Sequence, residues 1–297
     1  MEILITGGTG FIGTLLCRHL LESGHRLCIL TRRPERFGPA TDDRLRVIRS
    51  LDELNREERF DAIINLAGEG IADRRWTAKR KQALLDSRLD TTQGILDFIA
   101  RADQRPRCLI SGSAVGYYGD QGDADVNENS TPHPDFGQQL CQHWEQLALQ
   151  AERWNLRVCI IRIGLVVGPG GGFLQRLLLP FKMGLGGRLG SGTQWMSWVH
   201  LQDLVRLISW LLDNESCQGN YNATAPHPVT NREFTRILAG CLQRPAIFPV
   251  PAPLLKMALG EMSLLLLTGQ KARPKRALEQ GFEFQFDDLE TALQAVL

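Results

Sequence analysis

Neither sign of charge dominates this 297-residue chain, in which 34 lysines and arginines stand against 33 aspartates and glutamates. That balance removes the bulk electrostatic footprint by which a protein holds nucleic acid or an anionic membrane. Paired cysteines are missing too. The seven cysteines (17, 28, 108, 141, 159, 217 and 241) contain no C-x-x-C pair and have no histidine-rich companion. Neither a metal site nor a disulfide framework is indicated, only reduced, mostly buried thiols. Long apolar runs are also absent. The best of them, Leu254 to Leu267, spans 14 residues and includes Lys256 and Glu261, short of the roughly 20 apolar residues a spanning helix needs. A buried or subunit-contacting helix is expected there, which leaves room for a homo-oligomer. The first residues form a strand and a glycine turn where a secretory signal would need a basic region and a cleavable apolar core. A cytoplasmic protein acting on a small molecule, with no nucleic-acid or membrane partner, is the expectation.

What is present begins at once. The apolar run Ile3-Leu4-Ile5-Thr6 leads into Gly7 to Gly13, reading GGTGFIG, and an apolar periodicity follows from Phe11 through Leu15, Leu16, Leu20 and Leu21. Strand, glycine turn and helix in that order form a dinucleotide cradle. The glycines permit a tight turn, close approach of backbone N–H groups to a pyrophosphate and close helix packing at Gly13, with the helix N-terminus facing the phosphates. The second strand, Arg26 to Thr31, ends in Thr31-Arg32-Arg33 with no carboxylate. An acid at this point holds the ribose 2′-hydroxyl of NAD, whereas a guanidinium suits a 2′-phosphate. The expected cofactor is therefore NADP, although a solvated basic turn continued by Arg36 would read the same way.

Further strands are expected at Leu45 to Arg49, Ala62 to Leu66, Arg107 to Ile110 and Arg157 to Ile163, with helical periodicity over Thr77 to Ala100 and again around Leu140 to Ala151. Strands separated by such helices specify an α/β fold, a doubly wound parallel Rossmann sheet whose ligand lies beyond the carboxyl ends of the strands. Gly119 to Phe136 is polar and turn-rich, the pattern of a surface loop beside that site. Gly164 to Gly192 is dense in glycine and is the expected substrate region. The remainder is a smaller, mainly helical C-terminal part assembled from Gln202 to Asp213, Asn231 to Leu242, the apolar segment and Asp287 to Val296, stiffened by prolines 245, 249, 251 and 253. The expected divisions are residues 1–163 for the dinucleotide-binding domain, 164–244 for substrate loops and a return to that domain, and 245–297 for a C-terminal domain.

Five further strings make the reading narrower: NLAGE at 65–69, SGSAVGYYGD at 111–120, RIGLVVGPGGG at 162–172, GLGGRLGSGTQWMSWVHLQDL at 184–204 and GQKARPKRALEQGFEF at 269–284. With the glycine turn, they resemble the YfcH-like epimerase family, atypical extended members of the short-chain dehydrogenase/reductase superfamily, and the resemblance runs nearly end to end. It implies that Gly7, Gly10, Phe11, Ile12 and Gly13 bind the pyrophosphate, that Thr31 and Arg32 bind the adenosine ribose, and that Leu66 and Ala67 lie along the cofactor. It also places Arg88 where ordinary extended members have an asparagine near the cofactor, and Val166 in the turn facing nicotinamide.

The resemblance breaks at catalysis. The superfamily uses a Tyr-x-x-x-Lys pair and a serine: the tyrosine exchanges the substrate proton, the lysine lowers its pKa and the serine orients the substrate. Ser113 fills the serine position, but the pair becomes Phe136/Leu140 or Gly137/Cys141. The motif has not moved elsewhere, because residues four after Tyr117, Tyr118 and Tyr221 are Gln121, Gly122 and Ala225. Ser113 and Tyr117 are the expected catalytic residues. Tyr118, Cys141, His143, Glu145 and His200 are the other candidate acids, each with a packing or solvated role as its alternative. Glu69, Arg74, Arg75 and Gln194 could meet a polar substrate, and Trp76, Trp195 and Trp198 could stack on a ring or pack in a lid or core. Two functions follow: an NADP-dependent oxidoreductase or epimerase acting on a nucleotide sugar or related polyol, or an NADP-binding sensor without turnover.

Overall fold

Mostly apolar strands alternate with amphipathic helices along the first 224 residues, and the helices at 11–22, 78–101, 136–149 and 201–213 bury their stripes on the faces of a common sheet. The computed structural model describes residues 1–34 and 42–297, so Arg36 of the basic turn lies outside the described residues. The first half contains β1 (Glu2–Thr6), α1 (Phe11–Glu22), β2 (Arg26–Leu30), β3 (Leu45–Ile48), β4 (Ala62–Asn65), α2 (Ala78–Arg101), β5 (Cys108–Ala114), β6 (Asp125–Val126), α3 (Phe136–Leu149) and β7 (Arg157–Ile163). The second half contains β8 (Leu165–Val167), α4 (Gly172–Lys182), β9 (Trp195–Met196), β10 (Trp198–His200), α5 (Leu201–Asp213), β11 (Gly219–Ala223), β12 (Val229–Thr230) and α6 (Asn231–Leu242). After these come α7 (Ala252–Leu259), α8 (Leu264–Leu267), β13 (Lys271–Ala272), α9 (Lys275–Glu279) and α10 (Leu289–Gln294).

Seven strands form one sheet in the order β3-β2-β1-β4-β5-β7-β11, and every pair in it is parallel. The direction of winding reverses between β1 and β4, which opens a crevice beyond their carboxyl ends. Side chains alternate across the sheet. Ile3, Ile5 and Ile161 join the core under α1 and α5, while Leu4, Ile63 and Leu109 join the core under α2 and α3. The fold is the doubly wound α/β class that the strand and helix spacing specifies.

Three local readings change. Gly219–Ala223 (GNYNA) is a seventh sheet strand that apolar patterning cannot reveal, because Asn222 stays buried through hydrogen bonds rather than through apolarity. Helix α5 covers the main sheet, with Leu204, Leu207, Ile208 and Leu211 in the same core as Ile3, and does not join the C-terminal part. The apolar stretch 254–267 is not one buried helix. It breaks at Gly260, whose φ of 61° is a left-handed turn, and α7 presents Leu254 and Met257 to solvent. Among the described residues no helix is long and apolar enough to cross a membrane.

The C-terminal part is stitched to the loop after β5. Strand β13 runs parallel to β6, with Lys271 opposite Asp125 and Ala272 opposite Val126. Helix α10 packs Leu289 and Leu293 into a third core with Phe234 and Leu238 of α6.

Candidate active site at the carboxyl ends of the strands

The turn after β1 is shaped by what its glycines leave out. Gly7 has φ 75°, and a Cβ there would sit 2.6 Å from the Leu66 carbonyl; a Cβ on Gly13 would collide with the Gly7 carbonyl and lie 2.7 Å from Gly8 Cα. Turn, β4 edge and α1 are thus as close as backbone permits. Gly10 caps α1 without a side-chain hydrogen bond, so the first-turn N–H groups are left for a ligand. That arrangement fits a dinucleotide pyrophosphate. Phe11 follows and packs its ring against Gly168, Gly171 and Gly172, so those glycines of the expected substrate region serve to seat the cofactor turn. Ile12 lies beside the same core, and Val166 on β8 pairs with Val199 of β10.

At the end of β2, Thr31 is buried, its hydroxyl shares a hydrogen bond with Thr9 at 3.2 Å and accepts the Arg33 N–H at 3.0 Å. This turn leaves Arg32 exposed at the rim. Thr9, between the glycines, ties the two turns together and went unnoticed in the sequence because threonine in a turn carries no signal of its own. Behind Leu66 and Ala67, a buried network supports the edge of β4. Thr6 donates to Asn65 (2.6 Å), Asn65 Nδ2 and Trp144 Nε1 both donate to Thr92 (2.9 and 3.1 Å), and Ala67 N–H donates to Thr6 (3.2 Å). Arg88 reaches across from α2. It donates to the carbonyls of Leu84 (3.0 Å) and Glu69 (3.1 Å) and lies over the Trp144 ring at 5.2 Å, while its buried Nε has no partner among the described residues. Burial holds its pKa below the usual arginine value.

The β5 and β7 edge is built from side chains. Ser113 Oγ donates to Glu145 Oε1 at 2.6 Å, and Arg162 clamps that carboxylate through Nε (2.9 Å) and Nη2 (2.8 Å), all three groups being buried. Arg162 also donates to Tyr118 OH (3.0 Å), which donates to Asn222 Oδ1 (2.7 Å). Burial pushes the Tyr118 phenol up to about 12, against the opposing pull of Arg162. Tyr117 is half-buried with its ring face 3.5 Å from the Arg162 guanidinium. Glu128, buried in the loop expected to be a solvated surface segment, accepts the N–H groups of Asn222 (3.1 Å) and Arg276 (3.2 Å).

The remaining candidates separate clearly. Phe136, at one tyrosine position, packs edge-on against Trp76 at 4.8 Å. Cys141, at one lysine position, is buried, and that burial followed by the Glu145 charge pushes its thiol up to about 11. His143 faces solvent, whereas Glu145 turns inward. His200 caps α5 through Nδ1 (3.3 Å from Gln202 N) and stacks on Phe286 at 3.8 Å; burial lowers its pKa, with Asp203 opposing. Glu69 is ion-paired with Arg80, Arg74 and Arg75 are exposed, and Gln194 is spent on the carbonyls of Leu189 and Leu266. Trp195 donates to Asp123, and Trp198 is fully buried, which places the latter in the core. Among the described residues no cluster of three histidines, cysteines or carboxylates could hold a metal.

A glycine turn at the winding reversal and a serine at the end of β5 are the features of a class, and the chain belongs to it: residues 3–224 match the NAD dependent epimerase/dehydratase family. Residues 250–296 match a domain of unknown function, DUF1731. Over its whole length the chain is 41% identical to the chloroplastic epimerase family protein SDR39U1 homolog of Arabidopsis thaliana, covering 87% of that protein. The crystal structure of human epimerase family protein SDR39U1 (isoform 2) with NADPH is similar at 35% identity and TM-score 0.89, over 100% of this chain and 99% of that one. A nucleoside-diphosphate sugar epimerase from Corynebacterium glutamicum is similar at 28% identity and TM-score 0.78, over 99% of this chain and 57% of that one.

Proposed function

We propose that this protein is an NADP-dependent oxidoreductase or epimerase of the YfcH-like, extended short-chain type, working without a Tyr-x-x-x-Lys pair on a small polar carbonyl or polyol, with a nucleotide sugar as the first substrate class to try. The observation that carries the reading is the glycine turn, where a Cβ at Gly7 would strike the β4 edge and one at Gly13 would strike the turn from α1, combined with Arg32 at the rim of β2. The NADPH in the human relative's structure supports the cofactor, and the sugar epimerase supports the substrate class.

Bound there, the nicotinamide would donate or accept hydride. The chain's own groups do the rest. Backbone N–H groups of Phe11, Ile12 and Gly13 would face the pyrophosphate, with the Gly10 N–H closing the turn on the Gly7 carbonyl at 2.9 Å, and Thr31 orients the turn from which Arg32 would meet a 2′-phosphate. Leu66, Ala67 and Val166 supply apolar walls, and Arg88, held on the Leu84 and Glu69 carbonyls, supplies a cation with no ion-pair partner among the described residues. Ser113 and Tyr117 are the hydroxyls at the substrate end.

The test mixes NADP with nucleotide sugars and polyols, or NADPH with carbonyl compounds, and follows nicotinamide absorbance together with epimer ratio. Conversion of one member of the panel is the expected result. Tight NADPH binding with no conversion of any would leave an NADP-binding sensor and remove the catalytic reading.

A further inference from the structure

Resting on the oxidoreductase reading, we propose that Ser113 and Glu145 form the proton path that the missing Tyr and Lys would have supplied, Ser113 touching the substrate and Glu145 receiving the proton behind it. The direction of one hydrogen bond decides this. Arg162 holds Glu145 through Nη2 on Oε2 (2.8 Å) and Nε on Oε1 (2.9 Å), and Ser113 Oγ stands 2.6 Å from that same Oε1. A carboxylate only accepts, so the serine hydrogen is committed to Glu145 and the oxygen lone pairs are left to accept from a substrate hydroxyl. Ser113 in this state is an acceptor, not the donor that orients a carbonyl.

The neighbours fit that assignment. Arg162 cannot take the proton, since a guanidinium stays charged. Burial pulls its pKa down, but the hydrogen bonds and charge of Glu145 outweigh that and leave it raised. It therefore holds the carboxylate in place, with the Tyr117 ring against its face and Tyr118 OH on Nη1. Cys141 lies one helical turn before Glu145 on α3, the same side of the helix. Its thiol, pushed up to about 11 chiefly by burial, brings no charge to the lysine position.

The step balances as follows. The O–H proton of a secondary alcohol passes to Ser113 Oγ as the serine's own proton passes to Glu145 Oε1. The carbinol C–H leaves with its electron pair as hydride to NADP, and the alcohol becomes a ketone. Reduction runs the same path backwards, and Glu145 is a neutral acid only between the two.

Neutron diffraction on the cofactor-free protein should find the Ser113 deuteron between Oγ and Glu145 Oε1; a deuteron pointing elsewhere overturns the path. With a converted alcohol, infrared spectroscopy of a single turnover should show a protonated carboxyl band that shifts in D2O and is missing in Glu145→Gln. Ser113→Ala and Glu145→Gln should each slow oxidation by about 100-fold or more while NADPH binding is kept, and Ser113→Thr, which keeps a hydroxyl, should recover part of the rate. If Glu145→Gln does not fold, the Ser113 pair carries the test. Oxidation at the wild-type rate in Ser113→Ala overturns the path and leaves the oxidoreductase reading standing. NADPH binding without conversion by the wild type removes both.

Discussion

At the β1 and β4 edge the crevice is lined by backbone: Gly7, Gly10 and Gly13 bring strand, turn and helix together by having no side chains. At the β5 and β7 edge it is lined by long polar side chains, and Ser113, Glu145, Arg162, Tyr118 and Asn222 form one hydrogen-bonded line drawn from four elements and the turn after β5. The first edge is made by local stereochemistry, so a motif of seven residues encodes it. The second is made by tertiary contact, with partners up to 104 residues apart. The two edges are consequently vulnerable to different insults.

Arg162→Met should show the largest effect. It leaves the buried Glu145 charge with only Ser113, and losing one partner of such a pair costs about 3–5 kcal/mol. Urea unfolding reads this directly, and a loss below about 1 kcal/mol would mean that water reaches the carboxylate. Gly13→Ala comes next. Its methyl meets the Gly7 carbonyl, so a cost of about 1–3 kcal/mol is expected with loss of NADPH binding, whereas Arg162→Met should spare NADPH affinity in whatever fraction remains folded. Calorimetric titration of both variants breaks the comparison if the two effects coincide.

Arg32→Ala should weaken NADPH by about 10- to 100-fold and leave NADH nearly unchanged, the worth of one charge-assisted contact. Equal losses for the two cofactors would sink the phosphate assignment. The smallest effect concerns pH. Burial lowers the His200 pKa in the folded protein, so the unfolded chain binds that proton more tightly. The contribution is complete above the ordinary histidine value of about 6.5 and is lost as pH falls through the shifted value below it. His25 shifts in the same direction. The difference in melting temperature between wild type and His200→Asn, followed from about pH 7.5 down to about pH 5, isolates His200, and a constant difference would refute the linkage.

The sheet was legible because β-branched runs and helical periodicity are local. The glycine turn was legible for the same reason. Strand β11 was not, since Asn220 and Asn222 interrupt any apolar pattern, and the partners that make Asn222 burial tolerable, Glu128 and Arg273, are remote in sequence. Glu145 was legible as one candidate acid among several, with a solvated role as its alternative. Its inward orientation depends on Arg162, seventeen residues on and in a different element. Gly260 shows the reverse error, where apolar composition from 254 to 267 suggests a single helix and one left-handed residue divides it.

Strand β13 joins β6 only after synthesis has passed Ala272. Until then the hydroxyl of Ser197 lacks the Gln270 and Ala272 carbonyls, and Glu128 lacks the Arg276 N–H. The dinucleotide cradle emerges first and can close early, while Asn222, at the end of the polar line beside it, waits for the Arg273 carbonyl that is made later. A nascent protein stalled before that point would carry a ready cofactor seat next to a polar line whose last buried amide still lacks its partner.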